Sequence, residues 1–304
     1  MEKFEITILG CGAALPTPRH LSSSQIVNVR EKLFMFDCAE GVQTALRRSR
    51  LKFSHLNAIF LTHLHGDHCF GLIGLLSTLG LLGRTADLHV FGPNNLVNVF
   101  QPQIDFFCEE SPFRIILHEI DSKQHSVIYE DRSVEISTIP LSHRVPCCGF
   151  LIKEKPTLRH IRRDAIDAFG IPVSQINNIK AGLDYTSPDG DVIPNHLLTL
   201  PPDPIRSYAY CTDTTFKPSN ADLLQGVTAL YHEATFSSEQ SLLAKKTHHS
   251  TAAQAAEIAK LSNAKQLIIG HFSSRYEDEN KLLEEAKKVF TNTLLAADGK
   301  RIIL

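Results

Sequence analysis

Phe4, Ile6 and Ile8 alternate with Glu5 and Thr7, the period-two pattern of a half-buried β-strand. Similar strand-like runs recur at 25–30, 33–37, 58–62, 87–91, 133–139, 147–152, 207–211, 227–231, 265–269 and 301–304. Helical spacing of apolar residues marks Glu40–Arg48, Cys69–Leu82, Thr251–Lys260 and Glu277–Val289, the last with leucine and alanine on one face. Many strands with interspersed helices predict a layered α/β fold. Residues 25–37 and 133–152 read as antiparallel hairpins, so the pattern is no simple alternation of strand and helix. The longest uncharged apolar run, Cys69–Gly83, has 15 residues, whereas a membrane-spanning helix needs about 20. It predicts a buried helix and no membrane partner.

The 304 residues suit either two domains or one large α/β domain, and 43% hydrophobic content is enough for a full core. Lysine and arginine total 31 against 33 acids, a net charge of -2. That excludes a uniformly basic coat but leaves room for a local basic patch. The seven cysteines are scattered without a CxxC pair, which predicts reduced thiols, a cytoplasmic location and no four-cysteine zinc ribbon. One segment stands apart: Glu154–Pro204, rich in proline, lies between two strand patterns. Around its start Lys153, Lys155, Arg159, Arg162 and Arg163 face a single acid, Glu154. The segment reads as an arm that meets something anionic, the plainer alternative being a solvated insertion.

The chemistry concentrates where the apolar run Ala58–Leu61 gives way to Thr62-His63-Leu64-His65-Gly66-Asp67-His68. Histidines two apart on an extended chain can face one ion, and Asp67 with His68, past the turn at Gly66, can address a second. His143, Asp213 and His271 each follow a strand pattern in the same way. Imidazole and carboxylate together suit zinc, with manganese or iron as alternatives. The other histidines, at 20, 55, 89, 118, 125, 160, 196, 232 and 248, read as surface or packing residues.

His63–His68 resembles the HxHxDH signature of the metallo-β-lactamase superfamily. Phe36-Asp37-Cys38-Ala39-Glu40-Gly41-Val42-Gln43, His232-Glu233-Ala234-Thr235-Phe236, His249-Ser250-Thr251 and Gly270–Tyr276 are more specific. They resemble the FDCGEGTQ, HEAT and HST elements and the final loop of ribonuclease Z in its short form. The resemblance implies one metallo-β-lactamase-like αββα four-layer sandwich over 1–304, with 154–204 as an inserted flexible tRNA-binding arm, or exosite. It implies two zinc ions, one held by His63, His65 and His143 and one by Asp67, His68 and His271, with Asp213 bridging. Asp37 would brace the metal loop. Two departures stand out. Pro16-Thr17-Pro18-Arg19-His20 is shorter than the family's PxKxRN loop and lacks its lysine, so discrimination against CCA-bearing precursors does not carry over. Gly170-Ile171-Pro172 lacks the arm's usual Gly-Pro step, although Lys180-Ala181-Gly182 keeps a basic-then-glycine pattern.

The function so implied is hydrolysis of precursor tRNA after the discriminator nucleotide, leaving a 3′-hydroxyl on the tRNA and a 5′-phosphate on the trailer. Asp67 would orient or deprotonate the nucleophile, and His249, held by Glu233, would protonate the departing oxygen. Ser273, Arg275 and Tyr276 would hold phosphate near the metals, and Lys153, Lys155, Arg159, Arg162, Arg163 and Lys180 would grip the tRNA. A homodimer is implied, and DNA is not expected as a partner. HxHxDH alone also admits a small-molecule phosphodiesterase, and loss of metal would leave a non-catalytic RNA-binding relative.

Overall fold

The computed structural model describes residues 2–304. Its first half runs β1 (Phe4–Gly10), β2 (Ser24–Val29), β3 (Lys32–Phe36), α1 (Val42–Arg48), β4 (Leu56–Phe60), α2 (Gly66–Cys69), α3 (Leu72–Leu81), β5 (Leu88–Pro93), α4 (Leu96–Phe107) and β6 (Ile115–Ile120). There follow β7 (Val127–Glu130), β8 (Val134–Pro140) and β9 (Cys148–Glu154). After the inserted segment come β14 (Ser207–Cys211), β15 (Ala229–Glu233), α8 (Ser241–Thr247), α9 (Ala252–Leu261), β16 (Leu267–Gly270), α10 (Asn280–Lys287), β17 (Thr293–Leu295) and β18 (Arg301–Ile303). The strands form two seven-stranded sheets, ordered β18-β1-β2-β3-β4-β5-β6 and β17-β16-β15-β14-β9-β8-β7. β18 closes one edge of the first sheet by pairing antiparallel with β1.

One apolar core joins the two sheets, with Phe4, Phe34, Phe36 and Phe60 of the first meeting Ile136, Phe150, Tyr208 and Tyr210 of the second. Phe36 lies 5.7 Å from Phe150 and 6.0 Å from Tyr210 between ring centroids. A second core fills the other face of the first sheet, where Val42 of α1, Leu72, Leu75 and Leu76 of α3, and Phe100 of α4 pack. On the second sheet, Ala255, Ala256 and Ala259 of α9 and Leu282 and Ala286 of α10 join the main core. Both sheets are thus sandwiched between helices, the four-layer αββα arrangement. All seven residues of β1 are buried, Glu5 and Thr7 included, and α1 packs on the strand.

The single helix expected at Cys69–Leu82 is two helices, with a break at Phe70–Gly71. A Cβ on Gly71 would lie 2.0 Å from the Ala39 carbonyl oxygen, and Gly71 N–H donates to the Cys38 carbonyl at 2.9 Å. The break therefore seats the metal-loop helix against the Asp37–Ala39 turn. α9 starts one residue later than expected because Thr251 is its N-cap, forming a capping box with Gln254. α4, β6, β7, α8 and β17 have no counterpart in the sequence reading. All seven cysteines are buried and reduced. No helix among the described residues is long and apolar enough to cross a membrane.

Residues Glu154–Ile205 separate from the rest as a compact unit of their own. This unit contains β10 (His160–Ile161) paired antiparallel with β13 (Thr199–Leu200), and β11 (Tyr185–Thr186) paired with β12 (Val192–Ile193). Helices α5 (Arg163–Ala168), α6 (Val173–Lys180) and α7 (Asn195–Leu198) complete it. Ala165, Ile171, Ile179, Tyr185 and Leu198 form its small buried core.

Candidate metal centre and active site

The site is assembled by the ends of strands. β4 ends at Phe60 and delivers His63 and His65, α2 carries Asp67 and His68, and His143, Asp213 and His271 follow β8, β14 and β16. Two groups of potential ligand atoms result, His63/His65/His143/Asp213 and Asp67/His68/Asp213/His271, with all atoms of each group within 4.8 Å of one another. Asp213 belongs to both. Its Oδ2 lies 3.5 Å from His63 Nε2 and 3.6 Å from His143 Nε2. Its Oδ1 lies 3.5 Å from His68 Nε2 and 2.9 Å from His271 Nε2. Asp67 Oδ2 completes the second group, 3.3 Å from His68 Nε2 and 3.9 Å from His271 Nε2.

Every one of these imidazoles but His65 has its remote nitrogen anchored. His68 Nδ1 meets Asp37 Oδ2 at 2.8 Å, and His143 Nδ1 meets the His248 carbonyl at 3.1 Å. His63 Nδ1 meets Thr62 Oγ1 at 3.0 Å, and His271 Nδ1 meets Thr235 Oγ1 at 2.8 Å. Each threonine passes its own proton to a buried carboxylate, Thr62 Oγ1 donating to Asp37 at 2.9 Å and Thr235 Oγ1 to Glu233 at 2.6 Å. Asp37 also accepts from the Thr62 N–H and the Tyr210 hydroxyl. Such outer hydrogen bonds fix the tautomer and aim of ligating imidazoles. Thr62, Thr235, Tyr210 and the His248 carbonyl were given no role in the sequence reading. Thr62 adjoins the histidine motif and Thr235 lies within His232–Phe236, and that placement is the only signal they offer.

The backbone is bent to the same end. Asp37 and His271 directly beyond their strands, and Asp213 two residues beyond its own, take left-handed φ values of 58°, 58° and 39°, and His248 takes 59°. Such conformations cost side-chain-bearing residues about 1–3 kcal/mol each and gather at functional sites.

Burial and neighbouring imidazoles hold His63 well below the usual histidine range, and burial lowers His65 and His143. Burial opposes the charging of His68 and His271 too, yet nearby carboxylates prevail: Asp37 and Asp213 raise His68, and Asp213 brings His271 to about 10. Asp213 is buried and Asp67 partly so, yet both are kept ionised by those same histidines. His68, His143 and His271 each present a buried Nε2 with no hydrogen-bond partner, although all three converge on Asp213. Anionic oxygens facing orphaned imidazole nitrogens are a donor set that fits two divalent cations, and nitrogen with oxygen donors suits zinc.

Glu233 takes no part in that set, although it lies with His249 and His271. Its carboxylate is satisfied: Oε1 accepts from His249 Nδ1 at 2.8 Å and from Thr214 N–H at 2.9 Å, and Oε2 accepts from Thr235. Burial disfavours the His249 cation, but Glu233 outweighs it and raises the imidazole above its ordinary value. His249 also lines a pocket of about 440 Å³ with Phe216 and Lys245. Of the final loop, Tyr276 is committed to Ser237, accepting its N–H at 2.8 Å, while exposed Arg275 sits 5.8 Å over the Phe236 ring. In the inserted unit Arg159 donates to Thr199 Oγ1 at 2.7 Å, and Arg162 pairs with Asp164 at 2.6 Å. The loop Pro16–His20 is fastened through Arg19, which donates to Glu279 and to the carbonyls of Tyr276 and Glu277.

The family model described as Anti-Pycsar protein Apyc1 matches residues 4–155, a span that ends before Asp213, Glu233, His249 and His271. Relatives matching the whole chain reach those residues. The chain is 56% identical to a ribonuclease Z of Bacteroides thetaiotaomicron over 304 residues, all of this chain and 96% of the relative. It is 51% identical to a ribonuclease Z of Porphyromonas gingivalis over the full length of both. The chain belongs to the ribonuclease Z family. Among solved structures, human tRNase Z, short form, superposes with a TM-score of 0.70 at 25% identity, covering 98% of each chain. Ribonuclease Z membership and the metallo-β-lactamase fold agree with the two zinc sites that the ligand groups provide. The chain is a metal-dependent endoribonuclease of this family.

Proposed function

We propose that this protein removes the 3′ trailer from precursor tRNA, hydrolysing the phosphodiester after the discriminator nucleotide. The observation that carries the proposal is the coexistence of a two-cation ligand set with a separate His249–Glu233 pair 2.8 Å apart. Metal ligands alone suit many hydrolases, whereas a proton donor held beside them suits the expulsion of a poor alkoxide leaving group.

His63, His65 and His143 would hold one zinc ion and Asp67, His68 and His271 the other, with Asp213 shared. Zinc bound there supplies Lewis acidity toward the phosphate and a lowered pKa for water. Asp67, ionised and at the partly open side of the second group, orients the attacking water and accepts its hydrogen bond. His249 donates the proton from Nε2 to the departing 3′-oxygen, while Glu233 holds Nδ1–H and stabilises the cationic form that precedes transfer. The tRNA then leaves with a 3′-hydroxyl and the trailer with a 5′-phosphate. Asp37 keeps His68 aimed. Ser273 and Arg275 contribute to phosphate binding, and Tyr276 fixes their loop.

The inserted unit, 154–204, acts as the arm that grips tRNA through phosphate contacts from Lys153, Lys155, Arg159, Arg162, Arg163 and Lys180. Double-stranded RNA is read mostly by shape, which suits a contact point separate from the scissile bond. The protein works in the cytoplasm as a homodimer. Mapping the cleavage site on precursor tRNA tests the reading. A single cut after the discriminator is expected, and hydrolysis of small diesters without any cut in precursor tRNA would overturn it.

A further inference from the structure

A cluster of titratable side chains lies outside the active site, where the loop after β1 meets the turn before β18. Cys11 Sγ is 3.4 Å from His20 Nδ1 and 3.4 Å from Asp298 Oδ1, and His20 Nδ1 is 3.7 Å from Asp298 Oδ1. A thiolate, an imidazole and a carboxylate around a tetrahedral zinc ion would be separated by about 3.3–3.6 Å, given zinc–ligand distances of about 2.0–2.3 Å. The other sides of His20 and Asp298 are also held. His20 Nε2 meets Glu279 Oε1 at 3.1 Å, and Asp298 Oδ2 accepts the Leu21 N–H at 2.7 Å. A carboxylate on the remote nitrogen of an imidazole is the usual outer support of a metal ligand, and the same device holds His68 in the active site. Cys11 is fully buried, while the side chains of His20 and Asp298 keep 15% and 25% exposure. The exposed side gives water access to a fourth position.

We propose that Cys11, His20 and Asp298 form a third metal site, one that takes zinc and is distinct from the active-site pair. Burial, reinforced by Asp298, pushes the Cys11 thiol up, and a hydrogen bond to Asp298 raises His20. The protons held there are those a divalent cation displaces. The site would staple the loop that carries Arg19 to the turn before β18, beside the segment that follows His271. The Phe272 N–H donates to the Cys11 carbonyl at 3.0 Å, the Ala13 N–H donates to the Phe272 carbonyl at 3.0 Å, and the His20 ring lies 6.0 Å from that of Phe272. The ion would thus be a structural fastener beside the metal centre, with no part in bond cleavage.

Cobalt separates this site from the catalytic one, because the active-site donors include no sulfur. Protein loaded with cobalt in place of zinc should show a sulfur-to-cobalt charge-transfer band in the near ultraviolet, and Cys11→Ser should abolish it. Elemental analysis of protein purified without chelator should approach three zinc ions per chain, falling by one in Cys11→Ser and in Asp298→Asn. Cobalt-loaded wild-type protein without the thiolate band would overturn the proposal whatever the variants do. So would a band that persists in Cys11→Ser, since it would belong to another cysteine. In either case the three groups are only a hydrogen-bonded cluster.

Discussion

Thr235→Val removes one hydroxyl and keeps the shape of a buried side chain, so its effect can be worked from the contacts. The hydroxyl donates to Glu233 Oε2 at 2.6 Å and meets His271 Nδ1 at 2.8 Å. Loss of a hydrogen bond to a buried carboxylate costs about 1.5–3 kcal/mol, and stranding the buried imidazole N–H costs about 1–3 kcal/mol more. Relaxation offsets part of this, so the chelator-treated variant should lose about 2–4 kcal/mol of stability against urea. His271 would also lose the contact that aims its Nε2, and such outer contacts are worth 10–100-fold in metal affinity. Zinc competition should therefore show one ion per chain weakened by that factor, with the ion at His63, His65 and His143 little changed. The Thr235 N–H still reaches Glu233 at 3.2 Å, so His249 should keep its partner. Loss of less than about 0.5 kcal/mol with both zinc affinities unchanged would refute the view that Thr235 joins the metal centre to the proton-donor pair.

His249→Ala should retain both active-site ions and tRNA affinity while turnover falls by about 10²–10⁴-fold; a nitrophenyl diester, needing no proton donor, should suffer far less, and equal losses would remove the acid role. Replacing 154–204 by a short Gly/Ser linker should spare zinc content and diester hydrolysis, yet sharply weaken precursor tRNA binding and flatten its salt dependence; undiminished tRNA cleavage would count against the arm. In metal-stripped protein, His20 is raised above its ordinary 6.5 by Asp298 and Glu279, so its contribution is fully present below that value and fades as pH rises through the higher folded value. The urea-midpoint gap between wild type and His20→Gln should narrow on that rise, and a gap independent of pH would refute the coupling.

The candidate ligands stood out in the sequence because four of them fall within six residues, 63–68, and His143, Asp213 and His271 each follow a strand pattern. The four-layer fold followed from the family motifs more than from periodicity. Strand β6 is only half-buried and shows weak alternation, and α4 carries Pro102 inside an otherwise apolar-striped helix, so both slipped past a pattern search. Thr62 and Thr235 are ordinary threonines until folding sets an imidazole on one side and a carboxylate on the other. Cys11 and Asp298 are 287 positions apart, and no spacing rule links them to His20. His20 accordingly read as a surface or packing residue, whereas the fold gives it three polar neighbours.

The order in which the polypeptide is made gives the strand arrangement a further meaning. A ribosome that has translated 250 codons has produced six of the seven active-site ligands, but His271 is still missing. The β16 strand that positions it, and β18, which pairs with β1 from the opposite end of the sequence, are also still to come. A partly translated chain therefore has no complete centre with which to cut RNA.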